Sequence, residues 1–279
     1  MAKASAGSIR GKVVAITGGA RGIGYATAQR LIVDGAKVAI GDIDVQRLKE
    51  AVGDLGVTAY SHLDVTDPES FEAFLDHVED VLGPIDVLVN NAGIMPIGDF
   101  HAEDDRSTRR MVEINVLGVM YGTKLALRRM LPRRSGHIIN ISSLAGESFV
   151  PGGATYCGTK HAVKGFTESI RREYRDSGVA VSQVMPTFTN TELVAGTSGG
   201  KGVRNAEPEE IAAAVASLIL APKPKVRVTR IAGALVASQA FLPQRLTESI
   251  GRKLGLEEAF TTAVDNAARH DYEERVRTI

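Results

Sequence analysis

The chain has 279 residues, 44% of them hydrophobic and 24% charged, with 33 basic residues against 33 acidic ones. A chain this long buries most of its apolar surface without disulfide or metal staples, and the balanced charge gives no basic excess to point at nucleic acid or anionic lipid. The single cysteine, Cys157, excludes an intrachain disulfide and suits a reducing, cytoplasmic setting.

Residues 1–10 are small, polar and weakly basic, and lack the apolar core of a signal peptide. No run reaches the ~18 uncharged apolar residues of a membrane span. Residues 231–243 come nearest and are too short.

Apolar runs rich in β-branched residues then alternate with helix-period segments. Strands are predicted at 13–17, 37–40, 57–61, 87–90, 137–142, 179–185 and 226–229. Helices are predicted at 22–34, 45–52, 68–82, 106–130, 155–177 and 207–220. Asp67 and Pro68 supply an N-cap and a first-turn proline, and Gly178 a C-terminal cap. This rhythm predicts a doubly wound α/β fold, a parallel sheet of about seven strands covered on both faces. Right-handed crossovers then gather any ligand at the carboxyl edge of the strands. Residues 188–205, rich in Gly, Thr and Ser, read as a mobile loop, and 237–279 as a charged, mostly helical tail. One domain is expected over 1–279, with its core at about 10–236.

The first strand runs into Thr17-Gly18-Gly19-Ala20-Arg21-Gly22-Ile23-Gly24. Glycines let the backbone turn sharply and approach a ligand closely. The helix that follows aims free N–H groups and its positive end at that ligand, which suits a pyrophosphate. The second strand leads to Asp42, 18 residues past Gly24. An acidic residue there is placed for ribose hydroxyls. The competing reading makes it a solvated helix cap, a role that Asp44 also fits.

Tyr156 and Lys160 are four apart and share one helix face. An ammonium beside a phenol favours the phenolate and lowers its pKa from about 10. Such a tyrosine can serve as base toward an alcohol or acid toward a ketone. Ser143 follows a strand near the end of the sheet, where a substrate carbonyl could accept its hydroxyl.

Together, Thr17-Gly18-x-x-x-Gly22-Ile23-Gly24, Asn90-Asn91-Ala92-Gly93, Asn115, Ser143 and Tyr156-x-x-x-Lys160 closely resemble the short-chain dehydrogenase/reductases, over about residues 11–229. The thirteen-residue step from Ser143 to Tyr156 matches that family's spacing, and Ser142 does not fit it. The resemblance implies a Rossmann-type fold and a nicotinamide cofactor. It makes Tyr156 the acid/base, with Lys160 tuning it and holding the nicotinamide ribose. Ser143 would orient the substrate oxygen, and Asn115 would hold a water linking Lys160 to solvent. Gly18, Arg21, Gly22, Ile23 and Gly24 would hold phosphate, Asp42 ribose, and Asp64 with Val65 the adenine end. Asn91, Ala92 and Gly93 would close the cofactor floor. Pro186 and Thr191 resemble a Pro-Gly-x-x-x-Thr segment beside the nicotinamide, with Thr187 at the usual glycine.

The expected activity is NAD-dependent interconversion of a lipophilic secondary alcohol, steroid- or retinol-like, and its carbonyl. An NADP-dependent carbonyl reductase and a non-catalytic nucleotide sensor remain as alternatives. No spaced His or Cys set predicts a metal. The substrate pocket is expected from 94–100, 144–151 and 188–205. A homodimer or homotetramer is expected on the helices 106–130 and 155–177, through Met111, Ile114, Leu117, Val119, Met120, Leu125, Ala162, Val163, Phe166 and Ile170. The tail, with an apolar stripe of Leu235, Phe241, Leu242, Leu246, Ile250 and Leu254, is expected to cover the cleft or a neighbouring subunit.

Overall fold

The computed structural model describes residues 8–197, 199, 204–238, 242–255 and 257–278. Phe241 of the expected stripe, residues 1–7 of the N-terminus, 198 and 200–203 of the loop after β6, and the tail positions 239–240, 256 and 279 lie outside them.

Seven parallel strands form one sheet: β1 (Val13–Thr17), β2 (Lys37–Asp42), β3 (Ala59–His62), β4 (Val87–Asn90), β5 (Gly136–Ile141), β6 (Val179–Pro186) and β7 (Lys225–Val228). Their order is β3-β2-β1-β4-β5-β6-β7. The chain therefore reverses direction between β1 and β4, and ligands bind in the crevice at such a switch point. Side chains alternate across the sheet. Val13 and Ala15 enter one apolar layer, Val14 and Ile16 the other. The Rossmann-type arrangement expected from the alternation is thus present.

Helices α1 (Gly22–Val33), α2 (Val45–Leu55), α3 (Pro68–Leu82), α4 (Asp105–Val112), α5 (Gly118–Met130), α6 (Ala154–Glu173) and α7 (Pro208–Leu220) supply the crossovers. Three expectations are corrected here. The helix expected at 106–130 is two helices joined by a π-helical turn, Glu113–Leu117. The helix expected to reach 177 ends at Glu173, and Gly178 instead turns the chain into β6 with φ of +86°. A further helix, α8 (Arg230–Ser238), starts directly after β7, followed by α9 (Gln244–Lys253) and α10 (Asn266–Thr278).

The surfaces expected to hold subunits together are partly the chain's own core. Met111, Ile114, Val119, Leu125 and Val163 are buried within one chain. Ala162 is exposed, and Leu117, Met120, Phe166 and Ile170 are half-buried. No described helix is long and apolar enough to cross a membrane.

Candidate active site

The turn after β1 is built for close approach. Gly18 has φ of +62°, and a Cβ there would stand 2.9 Å from the Cα of Ala92. A Cβ on Gly24 would stand 2.0 Å from the Gly18 carbonyl oxygen. Both positions therefore exclude a side chain. Asn91 ties this turn to the end of β4. Its Nδ2 donates to the carbonyls of Thr17 and Gly18, each at 2.9 Å. Thr17 Oγ1 accepts from the backbone of Asn91 and Ala92, each at 3.0 Å. Asn90 points elsewhere, donating to Asn140 Oδ1 at 2.8 Å.

Asp42 ends β2 and is 8% exposed. Its carboxylate accepts from Ala20 N at 3.0 Å and from Asp44 N at 3.1 Å. The capping role belongs to Asp44, which accepts from Arg47 N at the start of α2. Asp42 is thereby released from the cap and faces the phosphate-binding turn. Arg21 pairs with Asp44, and its other nitrogen meets Glu192 at 3.2 Å. Asp64 and Val65 line the same cavity as Gly18, Arg21, Gly22 and Ile23.

The π-helical turn places Asn115, fully buried, against the segment after β4. Such turns occur often at functional sites, because the extra residue re-aims a side chain. Asn115 Oδ1 accepts from Ile94 N at 2.9 Å. Its Nδ2 donates to Ile94 O at 2.9 Å and to Thr159 Oγ1 at 3.2 Å. A Cβ on Gly93 would lie 3.2 Å from Asn115 Oδ1 and 3.7 Å from Lys160 Nζ. Gly93 thus lets the two side chains stand close to one stretch of backbone.

Tyr156 and Lys160 lie on the first turns of α6, 7% and 6% exposed. Lys160 Nζ donates to Ile141 O at 3.1 Å and stands 5.6 Å from the Tyr156 ring centroid. Burial pushes the Tyr156 phenol well above its ordinary range, and a hydrogen bond with Ser143 works against that rise. Burial also pushes the Lys160 ammonium down to about 8. In the protein alone, then, burial outweighs the Ser143 hydrogen bond in setting the phenol. Ser143 Oγ accepts from Ala145 N at 3.1 Å and donates to Pro186 O at 3.4 Å. Ser142 turns away and donates to the Lys160 carbonyl at 3.2 Å, which leaves Ser143 facing Tyr156. Thr187 does not need the glycine expected there: its φ is not positive, and its N–H donates to Val228 O at 2.6 Å. Thr191 reaches the phosphate-binding turn, 3.3 Å from where a Gly22 Cβ would stand.

The phosphate-binding turn, Asp42, Asp64, the segment after β4, Ser143, Tyr156, Lys160, Pro186 and Thr191 line one cavity of about 1930 Å³, whereas Gly24 and Asn115 stand behind its wall. Single ligands commonly occupy about 300–1,000 Å³, so it has room for a dinucleotide and a substrate together. Its apolar wall includes Ile94, Leu144, Val150, Phe188 and Leu193, from the three segments expected to form the substrate pocket. Glycines that admit close approach, a helix N-terminus and a carboxylate at the end of β2 fit a nicotinamide dinucleotide. Among the described residues, no group of three or more His, Cys, Asp or Glu is arranged to hold a metal ion.

The tail covers the cleft partly by the expected stripe: Leu235, Leu242 and Leu254 line the cavity, whereas Leu246 and Ile250 do not. Leu246 is 46% exposed, and Leu235, Leu242, Ile250 and Leu254 are only half-buried. The anchors are Phe260, Arg269, Tyr272 and Val276, all buried. Phe260 packs against Phe188, with ring centroids 5.3 Å apart. The Tyr272 hydroxyl accepts from Met95 N at 2.7 Å. Arg269, 2% exposed, donates to the carbonyls of Leu193 at 3.0 Å and Ala195 at 3.2 Å, to that of Met95, and to Glu273 at 2.6 Å. Sequence reading overlooked Arg269 and Tyr272. Their spacing with Val276 follows one helix face, and that was the available signal.

Arg269→Met is expected to lower stability by about 2–4 kcal/mol, because buried carbonyls lose a charged donor. Urea denaturation measures this. Stability equal to wild type would show that Arg269 does not hold α10 in place.

Residues 12–201 match the family described as short chain dehydrogenase. The chain is similar to cis-4-hydroxycyclohexanecarboxylate dehydrogenase of Sinomonas cyclohexanicum, 39% identical over 223 residues, covering 74% of this chain and 88% of the relative. It is similar to 3-alpha-(or 20-beta)-hydroxysteroid dehydrogenase of Mycobacterium tuberculosis, 36% identical over 188 residues, covering 67% and 72%. It is also similar to 3-oxoacyl-(acyl-carrier-protein) reductase of Vibrio cholerae, 36% identical over 223 residues, covering 76% and 91%.

Proposed function

This chain belongs to the short-chain dehydrogenase family, and we propose that within it the chain is an NAD(H)-dependent enzyme for lipophilic, steroid-like secondary alcohols and their ketones. As a family member it is an oxidoreductase that uses a nicotinamide cofactor and acts on a hydroxyl or carbonyl group. The observation that carries the finer reading is the meeting of Ser143, Tyr156 and Lys160 on one cavity with the apolar side chains of Ile94, Leu144, Val150, Phe188 and Leu193. The names of the hydroxysteroid and hydroxycyclohexane relatives support a cyclic alcohol.

When bound, the nicotinamide supplies or accepts the hydride. The chain's own residues handle the proton. Tyr156 takes it from the alcohol oxygen or returns it to the ketone oxygen. Ser143 holds that oxygen in line by its hydroxyl. Lys160, charged at neutral pH with its pKa near 8, supports the phenolate that burial disfavours. Asn115 is a positioning residue, fixing the backbone after β4. Gly18, Gly22, Ile23 and Gly24 would cradle the pyrophosphate, with Asn91, Ala92 and Gly93 as floor and Pro186 and Thr191 beside the nicotinamide.

Asp42 supports NAD over NADP. An acidic residue at the end of the second strand suits the adenosine ribose hydroxyls, and a 2′-phosphate of about −1.5 to −2 charges on that ribose would meet its carboxylate. Two unit charges 4 Å apart repel by roughly 4 kcal/mol at an effective dielectric of 20, and less where water screens them. Each 1.4 kcal/mol is about one decade of affinity. Arg21, at the same cleft, favours the alternative of an NADP-dependent reductase, but its guanidinium is already engaged by Asp44 and Glu192. Wild-type protein is expected to bind NADH about tenfold or more tightly than NADPH. Asp42→Ala should narrow that gap, weakening NADH and relieving NADPH. Dissociation constants at fixed ionic strength test this, and tighter NADPH binding by wild type would overturn it.

A further inference from the structure

Two guanidinium groups and three carboxylates meet at one end of the cofactor cleft. Asp42 and Asp44 come from the end of β2, and Arg21 from the phosphate-binding turn. Glu192 comes from the short 3-10 turn after β6, and Arg275 from α10. All but one of their contacts cross between distant parts of the chain. Glu192 Oε2 accepts from Arg21 Nη1 at 3.2 Å and from Arg275 Nη2 at 2.6 Å. Arg21 pairs in turn with Asp44, whose N–H donates to Asp42. All five residues line the same cavity as Gly18 and Gly22. Arg275 is carried there because Arg269 and Tyr272 anchor its helix beside the loop that holds Glu192.

The Arg21 guanidinium is thus held at the ribose end, next to the residue that flanks Asp42. A lone arginine there would attract a 2′-phosphate through charge-assisted hydrogen bonds. This arginine is not alone. The Glu192 side chain is half exposed, so its burial contributes little to the core. Its carboxylate nevertheless stays ionised: burial works against it, but Arg275 and Arg21 outweigh that effect and lower its pKa.

We propose that Glu192 is a specificity-determining residue, which ties up Arg21 and Arg275 and so denies both to the 2′-phosphate of NADP. The inference rests on the NAD reading above and adds a second element to it. Asp42 repels the phosphate directly. Glu192 acts through the two arginines, as a positioning residue. A 2′-phosphate would have to displace Glu192 from both guanidinium groups or stand beside an uncompensated carboxylate. Because Arg275 belongs to the last helix, the tail takes part in cofactor choice as well as in covering the substrate.

The test uses full-length wild type, Glu192→Gln, and the double variant Arg21→Ala with Glu192→Gln. Glutamine keeps the size of the side chain and removes its charge. NADH and NADPH dissociation constants are measured by fluorescence at fixed ionic strength. Glu192→Gln is expected to tighten NADPH by roughly tenfold, the worth of one charge-assisted hydrogen bond, with a much smaller change for NADH. The double variant should lose most of that gain, since Arg21 delivers it. Equal changes for both cofactors would show that Glu192 only orders the loop, and would overturn the assignment. So would an unmoved NADPH-to-NADH ratio in a protein whose wild type prefers NADH. A wild type that prefers NADPH overturns the NAD reading itself, and this inference with it.

Discussion

Tyr156→Phe is expected to reduce turnover by about 10²–10⁴-fold, the usual worth of general acid–base catalysis, or roughly 3–5 kcal/mol of barrier. The phenyl ring fills the same buried site on α6 and removes only the hydroxyl. Cofactor binding should therefore survive, and a dissociation constant for NADH close to wild type separates lost chemistry from lost structure. The pH dependence has a defined sign. Burial raises the phenol's pKa, so the alcohol-oxidising form, the phenolate, is scarce at neutral pH. Oxidation by wild type should speed up as pH rises, and ketone reduction should be favoured at lower pH. A variant that loses less than about tenfold, with its pH profile unchanged, would remove Tyr156 from the proton path.

Lys160→Met should act in opposite directions on activity and stability. Turnover is expected to fall by about 10²-fold or more, because the phenolate loses its neighbouring positive charge. The cofactor-free protein should become more stable, since methionine fills similar space and needs no solvation. Burial lowers the Lys160 pKa to about 8 from its ordinary 10.5. The unfolded chain therefore binds more protons than the folded one between those values. Stability of wild type should rise with pH across that window, and below it the buried charge costs about 3 kcal/mol at most. The variant should lack this rise. Urea denaturation across the window measures both effects. A variant less stable than wild type at neutral pH would mean that the fold satisfies the ammonium better than its burial suggests.

Much of the fold was legible because each strand and helix carries its own periodicity. The turn at Gly18 and Gly24 could be read because no other residue fits such close backbone contacts. Ser143, Tyr156 and Lys160 could be read from their spacing only together with the surrounding motifs and the family resemblance these carry, and the structure brings all three to one cavity. The π-helical turn at Asn115 could not, since one extra residue in a helix leaves its composition unchanged. Arg269 was hidden for a different reason. A charged residue reads as solvent-facing, and its burial depends on carbonyls of Met95, Leu193 and Ala195, which only the tertiary fold supplies. The apolar stripe of the tail was legible in part: Leu235, Leu242 and Leu254 line the cavity while Leu246 on α9 is exposed, because periodicity shows that a face exists and not what covers it. Thr187 looked like a departure at a glycine position, but the backbone there is one that any residue adopts.

The proposed reaction moves a hydride between a lipophilic secondary alcohol and a nicotinamide in this cavity, with the proton passing to or from Tyr156. The most direct measurement follows reduced-cofactor formation by wild type and Tyr156→Phe over a panel of cyclic secondary alcohols and hydroxysteroids, with product analysis. The account predicts reduced cofactor and ketone in equal amounts from wild type, and almost none from the variant. A wild type that binds NADH but converts no alcohol or ketone of the panel in either direction would contradict it, and would favour a nucleotide-sensing role.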